Sequence, residues 1–141
     1  MLDTISRSLH SYRVELYLPD NDCFGDTVPD IEEWVRDACR VLVALTGGAT
    51  RMAPATGMWL NKELNILIEE TTHVVYSYFD ARDVEQTFRR VRTFLCEFGR
   101  QTGQQSVAVE FAGKMLFISD FEDRSPHRSR NEVSALPLLA S

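Results

Sequence analysis

The sequence predicts an α+β domain in which two amphipathic helices cover one face of an antiparallel sheet. Three observations carry this. Ile31 to Leu45 and Val84 to Phe98 repeat apolar residues with the period of a helix. Segments before, between and after them alternate, or are rich in β-branched and aromatic residues, as strands are. The 141 residues are 44% apolar and 26% charged, which is enough for one hydrophobic core without a metal or disulfide staple.

The first strand is Tyr12 to Leu18, with Val14, Leu16 and Leu18 on one face and Arg13, Glu15 and Tyr17 on the other. Pro19 to Pro29 brings Asn, Asp, Gly and two prolines together as a loop. Ile31, Trp34, Val35, Ala38, Leu42 and Leu45 then form a helical stripe. Asp30, Glu32 and Glu33 suit its positive end, and Gly47 can supply a left-handed stop. A short strand follows at Gly57 to Leu60 and a polar turn at Asn61 to Glu63. The run Leu64 to Phe79 is strand-like but crosses Glu69-Glu70-Thr71-Thr72-His73, where a bulge or a second turn both fit. Val84, Phe88, Val91, Leu95 and Phe98 mark the second helix, punctuated by Gly99 and Gly103. Ser106 to Phe111 alternates again, and Ala112 to Lys114 can turn the chain into a further strand at Met115 to Ser119.

Strand, helix, two strands, helix, strand is the ferredoxin-like βαββαβ order. The expected core is Trp34, Leu42, Phe88, Val91 and Leu95. Residues 12–119 form the domain, 1–11 an N-terminal extension and 120–141 a charged C-terminal tail ending in Leu136, Leu138 and Leu139.

A formal charge of −6 repels phosphate backbones and anionic membranes, so nucleic acid is a disfavoured partner. Cys23, Cys39 and Cys96 form no CxxC pair, and an odd number cannot all pair within one chain, which points to a reducing, cytoplasmic setting. No apolar stretch approaches the length of a membrane span.

Trp34, Gly48-Ala49-Thr50, Gly57-Met58-Trp59, Glu70-Thr71-Thr72 before Val74-Val75, and Gln104-Gln105-Ser106-Val107 occur in a fixed order. In this order the chain resembles a weakly characterised family of small bacterial ferredoxin-like domains, from about Leu16 to Val109. The resemblance implies a fold and no established activity.

On a regular strand Glu69, Thr71 and His73 share one face, and Glu70 and Thr72 the other. A carboxylate beside an imidazole can bind a metal or move a proton. One of each is an incomplete site, so neither a metal nor a catalytic set is expected. Asp20, Asp22 and Asp26 evoke a calcium loop, but Phe24 and Ile31 stand where ligands are needed. Gly47-Gly48-Ala49-Thr50 lacks the lysine of a phosphate loop, and a helix cap explains it. Cys39 and Cys96 read as buried thiols.

The expectation is a non-enzymatic interaction or regulatory module without a cofactor, which self-associates and binds a protein partner. Tyr17, Tyr76, Tyr78, Leu136, Leu138 and Leu139 are its candidate contacts. The alternative is a small-molecule-binding domain or enzyme with a pocket between sheet and helices, using Thr50, Trp59, Glu70 and His73. A second alternative stacks RNA bases on Tyr76 and Tyr78. Trp59 and Glu70 discriminate: buried in the core they favour the module, and lining an open cleft they favour a ligand.

Overall fold

The structure, a computed structural model, describes residues 11–121. The chain forms β1 (Ser11–Pro19), α1 (Ile31–Thr46), β2 (Thr50–Arg51), β3 (Ala55–Asn61), β4 (Ile66–Asp80), α2 (Val84–Gln101), β5 (Val107–Phe111) and β6 (Lys114–Ile118). All pairings are antiparallel in one six-stranded sheet of order β2-β4-β1-β5-β6, with β3 also on β4. The fold is thus α+β, with two helices and an antiparallel sheet.

Both helices pack on one face of that sheet. Val14, Leu16 and Leu18 of β1, Val75 and Phe79 of β4, and Val107, Val109 and Phe111 of β5 meet Val35, Ala38 and Leu42 of α1 and Phe88, Val91 and Leu95 of α2. Phe111 stacks on Phe79 and takes the edge of Phe88. Of the expected core, only Trp34 is partly exposed, set edge-on to Phe94 and Phe98 at the border of the cluster.

Gly47, at φ 91°, ends α1 as its sequence predicts, and its N–H returns to Val43 O. Thr46 Oγ1 then meets Ser77 Oγ at 2.5 Å, and Ser77 also donates to Gly48 O, so the helix end is tied to β4. Gly99 does not end α2 but lies within it, because the Phe121 ring packs where its Cβ would be. Phe121 lies beyond the expected domain end at 119 and is buried.

Between 69 and 73 there is neither bulge nor turn: β4 runs unbroken for 15 residues. Its partners change instead. Thr72 faces Pro19 of β1 and Ala55 of β3 at once, while residues before it pair with β3 and residues after it with β1. β2, which has no signal in its own sequence, fills the edge beside Val75 and Tyr76.

Candidate functional site

Successive strand residues point to opposite faces, so the residues between the core positions form the face that the helices leave open. That face holds a cleft of about 480 Å³, a size typical of small-molecule sites. Its walls come from both ends of the strand order. Trp59 and Gly57 on β3 and Glu70, Thr72 and Val74 on β4 form one wall; Ala108 on β5 and Met115 and Phe117 on β6 form the other. Opposite edges of a sheet can share one cavity only if the sheet curls around it. Tyr17 and Pro19 of β1 line the floor. Asp22 and Cys23 at one lip and Gln104 to Ser106 at another also line it.

The lips are held by backbone and side-chain bonds. Asp22 Oδ1 accepts from the N–H groups of Phe24 and Asp26, so its carboxylate orders the loop. Cys23 N–H donates to Gly103 O, and Gln104 Nε2 donates to Asn21 O, joining the two lips.

Gly57 pairs with Glu70, and a Cβ there would come 2.9 Å from Thr72 Oγ1, so glycine keeps the space beside Glu70 open. Trp59 is 45% exposed. Burial pushes the Glu70 carboxyl above the ordinary carboxylate range, and a hydrogen bond from Trp59 pulls part of that back.

The four candidate ligand residues divide. Trp59 and Glu70 line the cleft together. His73, one residue out of phase with Thr72 and Val74, points to the helix side and is buried, with Nε2 2.6 Å from Asp20 Oδ1. Thr50 lies on edge strand β2 beside a separate shallow depression with Ser77, Tyr76 and Tyr78. The expected pocket between sheet and helices is corrected in the same way: core side chains fill that side, and the cleft is on the other.

Of the candidate contacts, Tyr17 lies in the cleft floor. Tyr76 and Tyr78 sit edge to face, and the Arg13 guanidinium lies 4.1 Å over the Tyr76 ring. That covers one face of the Tyr76 ring which base stacking would use. Leu136, Leu138 and Leu139 lie outside the described residues. Ala108, Met115 and Phe117 were missed as site residues, although apolar side chains alternating out of phase with a core stripe were their signal. Among the described residues no three His, Cys, Asp or Glu side chains are grouped to hold a metal, and no helix is long and apolar enough to cross a membrane.

No protein-family model matches the chain, and no curated protein matches it. Solved structures do. A phage SAM lyase in complex with S-methyl-5'-thioadenosine superposes with a TM-score of 0.59 at 15% identity, over 82% of this chain and 94% of that one. A phage SAM lyase in its apo state gives 0.52 at 15% identity, over 81% and 92%. The resemblance to bacterial domains of no established activity is therefore corrected, since the matching structures are of an enzyme. The non-enzymatic interaction module is corrected with it: the sheet face which that reading gives to protein contact carries a ligand-sized cleft, with Trp59 and Glu70 in its wall. This chain has a fold similar to that of a phage SAM lyase.

Proposed function

We propose that the chain is an enzyme that binds a nucleoside sulfonium of the S-adenosylmethionine type in the sheet-face cleft. It cleaves that ligand without water or a cofactor and releases S-methyl-5'-thioadenosine. The observation that carries this reading is the cleft: apolar, about 480 Å³, with a half-buried carboxyl beside an exposed indole. The similar fold, whose lyase binds that thionucleoside, supports it.

The chemistry asks little of the protein. When a sulfonium loses its amino-acid arm, the electron pair of the breaking C–S bond goes to sulfur and leaves a neutral thioether. The departing carbon is satisfied from within its own fragment: its carboxylate oxygen forms the new C–O bond as the C–S bond breaks, closing a lactone. No protein nucleophile is needed. A cation taken from water into apolar surroundings is destabilised relative to a neutral product. Ala108, Met115 and Phe117 supply such surroundings. Trp59 offers a face for the base, and Glu70 accepts from the ribose hydroxyls.

Incubation with S-adenosylmethionine and mass spectrometry of the products tests the reading. Stoichiometric S-methyl-5'-thioadenosine above the uncatalysed rate is expected; no release and no binding would sink it.

Three finer readings belong to the same proposal. The order β3-β4-β1-β5 with both helices on one face supports a ferredoxin-like plan with β6 added at an edge. The domain is taken as 12–119 with Phe121 docked on it, flanked by 1–11 and the tail. A cytoplasmic setting is supported by the cysteine count, since Cys23, Cys39 and Cys96 form no CxxC pair and an odd number cannot all pair within one chain.

A further inference from the structure

The cleft has a second end. Tyr17 lies opposite Val74, four residues along β4 from Glu70, which is about 13 Å of strand. Its hydroxyl donates to Oε2 of Glu15, two residues back on the same face, so the side chain leans further from Glu70. Glu15 is buried, 8% exposed, and its Oε1 takes the Arg13 guanidinium. Arg13 is held in turn over the Tyr76 ring and within 3.4 Å of the Tyr78 hydroxyl. Tyr76, Arg13, Glu15 and Tyr17 thus form a chain in which each group fixes the next.

The consequence for Tyr17 is chemical. A phenol has one proton and two lone pairs, and here the proton is committed to Glu15. Burial and the Glu15 carboxylate both hold that proton on the phenol. Toward the cleft the oxygen can only accept. Glu110, directly across from Glu15, adds a second negative charge near it.

We propose that Tyr17, oriented by Glu15, is a specificity-determining residue that accepts a hydrogen bond from the ammonium group of the ligand's amino-acid tail. The cleft then prefers a tailed nucleoside to a bare one. This rests on the nucleoside reading above: with Trp59 and Glu70 on the base and ribose, the tail extends along the floor to Tyr17.

Calorimetric titration with two nucleosides that lack a sulfonium tests it: S-adenosylhomocysteine, which keeps the tail, and S-methyl-5'-thioadenosine, which has none. Wild-type protein should bind the tailed ligand more tightly. Tyr17→Phe and Glu15→Gln, both nearly isosteric, should each weaken S-adenosylhomocysteine about ten-fold and change S-methyl-5'-thioadenosine by less than about two-fold. A merely structural role would weaken both ligands alike, and equal weakening overturns the proposal. So does a Tyr17→Phe protein that keeps the wild-type ratio. If Glu15→Gln fails to fold, Tyr17→Phe alone decides, because it leaves the ring and the Arg13–Glu15 pair in place. Wild-type protein that binds the bare nucleoside but shows no preference for the tail overturns Tyr17's role and leaves the nucleoside reading standing. Binding of neither overturns both.

Discussion

Glu70 sits half-buried in the cleft wall, where burial raises its proton affinity above that in the unfolded chain. The folded state therefore holds the proton more tightly, so stability falls as pH rises from the unfolded titration point through the folded one, and the cost persists above it. Glu70→Gln should melt at an equal or higher temperature at neutral pH, the gap closing as acid protonates the wild type. It should also slow S-methyl-5'-thioadenosine release roughly 100-fold, the scale of a lost hydrogen bond to a charged group. A variant that is less stable at neutral pH and fully active would contradict both roles. Trp59 provides a second check, since Trp34 lies against Phe94 and Phe98 on the other side of the sheet. Ligand should perturb the fluorescence of Trp34→Phe protein and leave that of Trp59→Phe protein unchanged; the reverse would remove Trp59 from the site. At this scale the sequence was half legible. Alternation correctly separates Glu70 and Thr72 from Glu69, Thr71 and His73. It does not say which set the helices cover, because both carry polar groups, and so His73 was grouped with a carboxylate on the opposite face.

The long strand β4 shows what a sequence hides at the level of elements. Glu69 to His73 reads as an interruption when taken alone, yet the strand continues because Thr72 passes it from β3 to β1. Pairing of that kind depends on Pro19, 53 positions before Thr72, as well as on the nearer Ala55, and no local pattern encodes it. The helices were legible to within a few residues because their stripes are long. Gly99 was not, since its reason is the Phe121 ring, 22 positions later, packed within 2.4 Å of where a Cβ would sit. Gly99→Val should expel that ring and lower the melting temperature, whereas Gly103→Ala, at φ 70°, should act only through backbone strain at the helix end. Equal melting of Gly99→Val and wild type would mean that Phe121 contributes nothing. Phe88→Ala, which empties the space under Phe111, should cost about 3 to 5 kcal/mol in denaturant melts; a loss under about 1 kcal/mol would contradict the packing.

Across the whole molecule, the net charge of −6 suits a cationic ligand more than a nucleic acid. Met58, Leu60, Leu64 and Leu67 are each more than half exposed on the β3–β4 hairpin. That apolar tip supports the proposal of self-association. Light scattering at micromolar concentration should give a mass above 16.1 kDa, reduced toward the monomer by Leu60→Lys with Leu67→Lys; a monomeric wild type would end the idea. The open sheet face has a consequence of another kind. Under the proposed function, folding and ligand choice fall on alternate residues of the same strands, so descent can rewrite one set while holding the other fixed. Exchange of Thr72, Val74, Ala108, Met115 or Phe117 alters what the cleft admits and leaves the helix-covered neighbours Val75, Val109 and Leu116 untouched. A lineage built this way can change its substrate by small steps without passing through an unfolded ancestor.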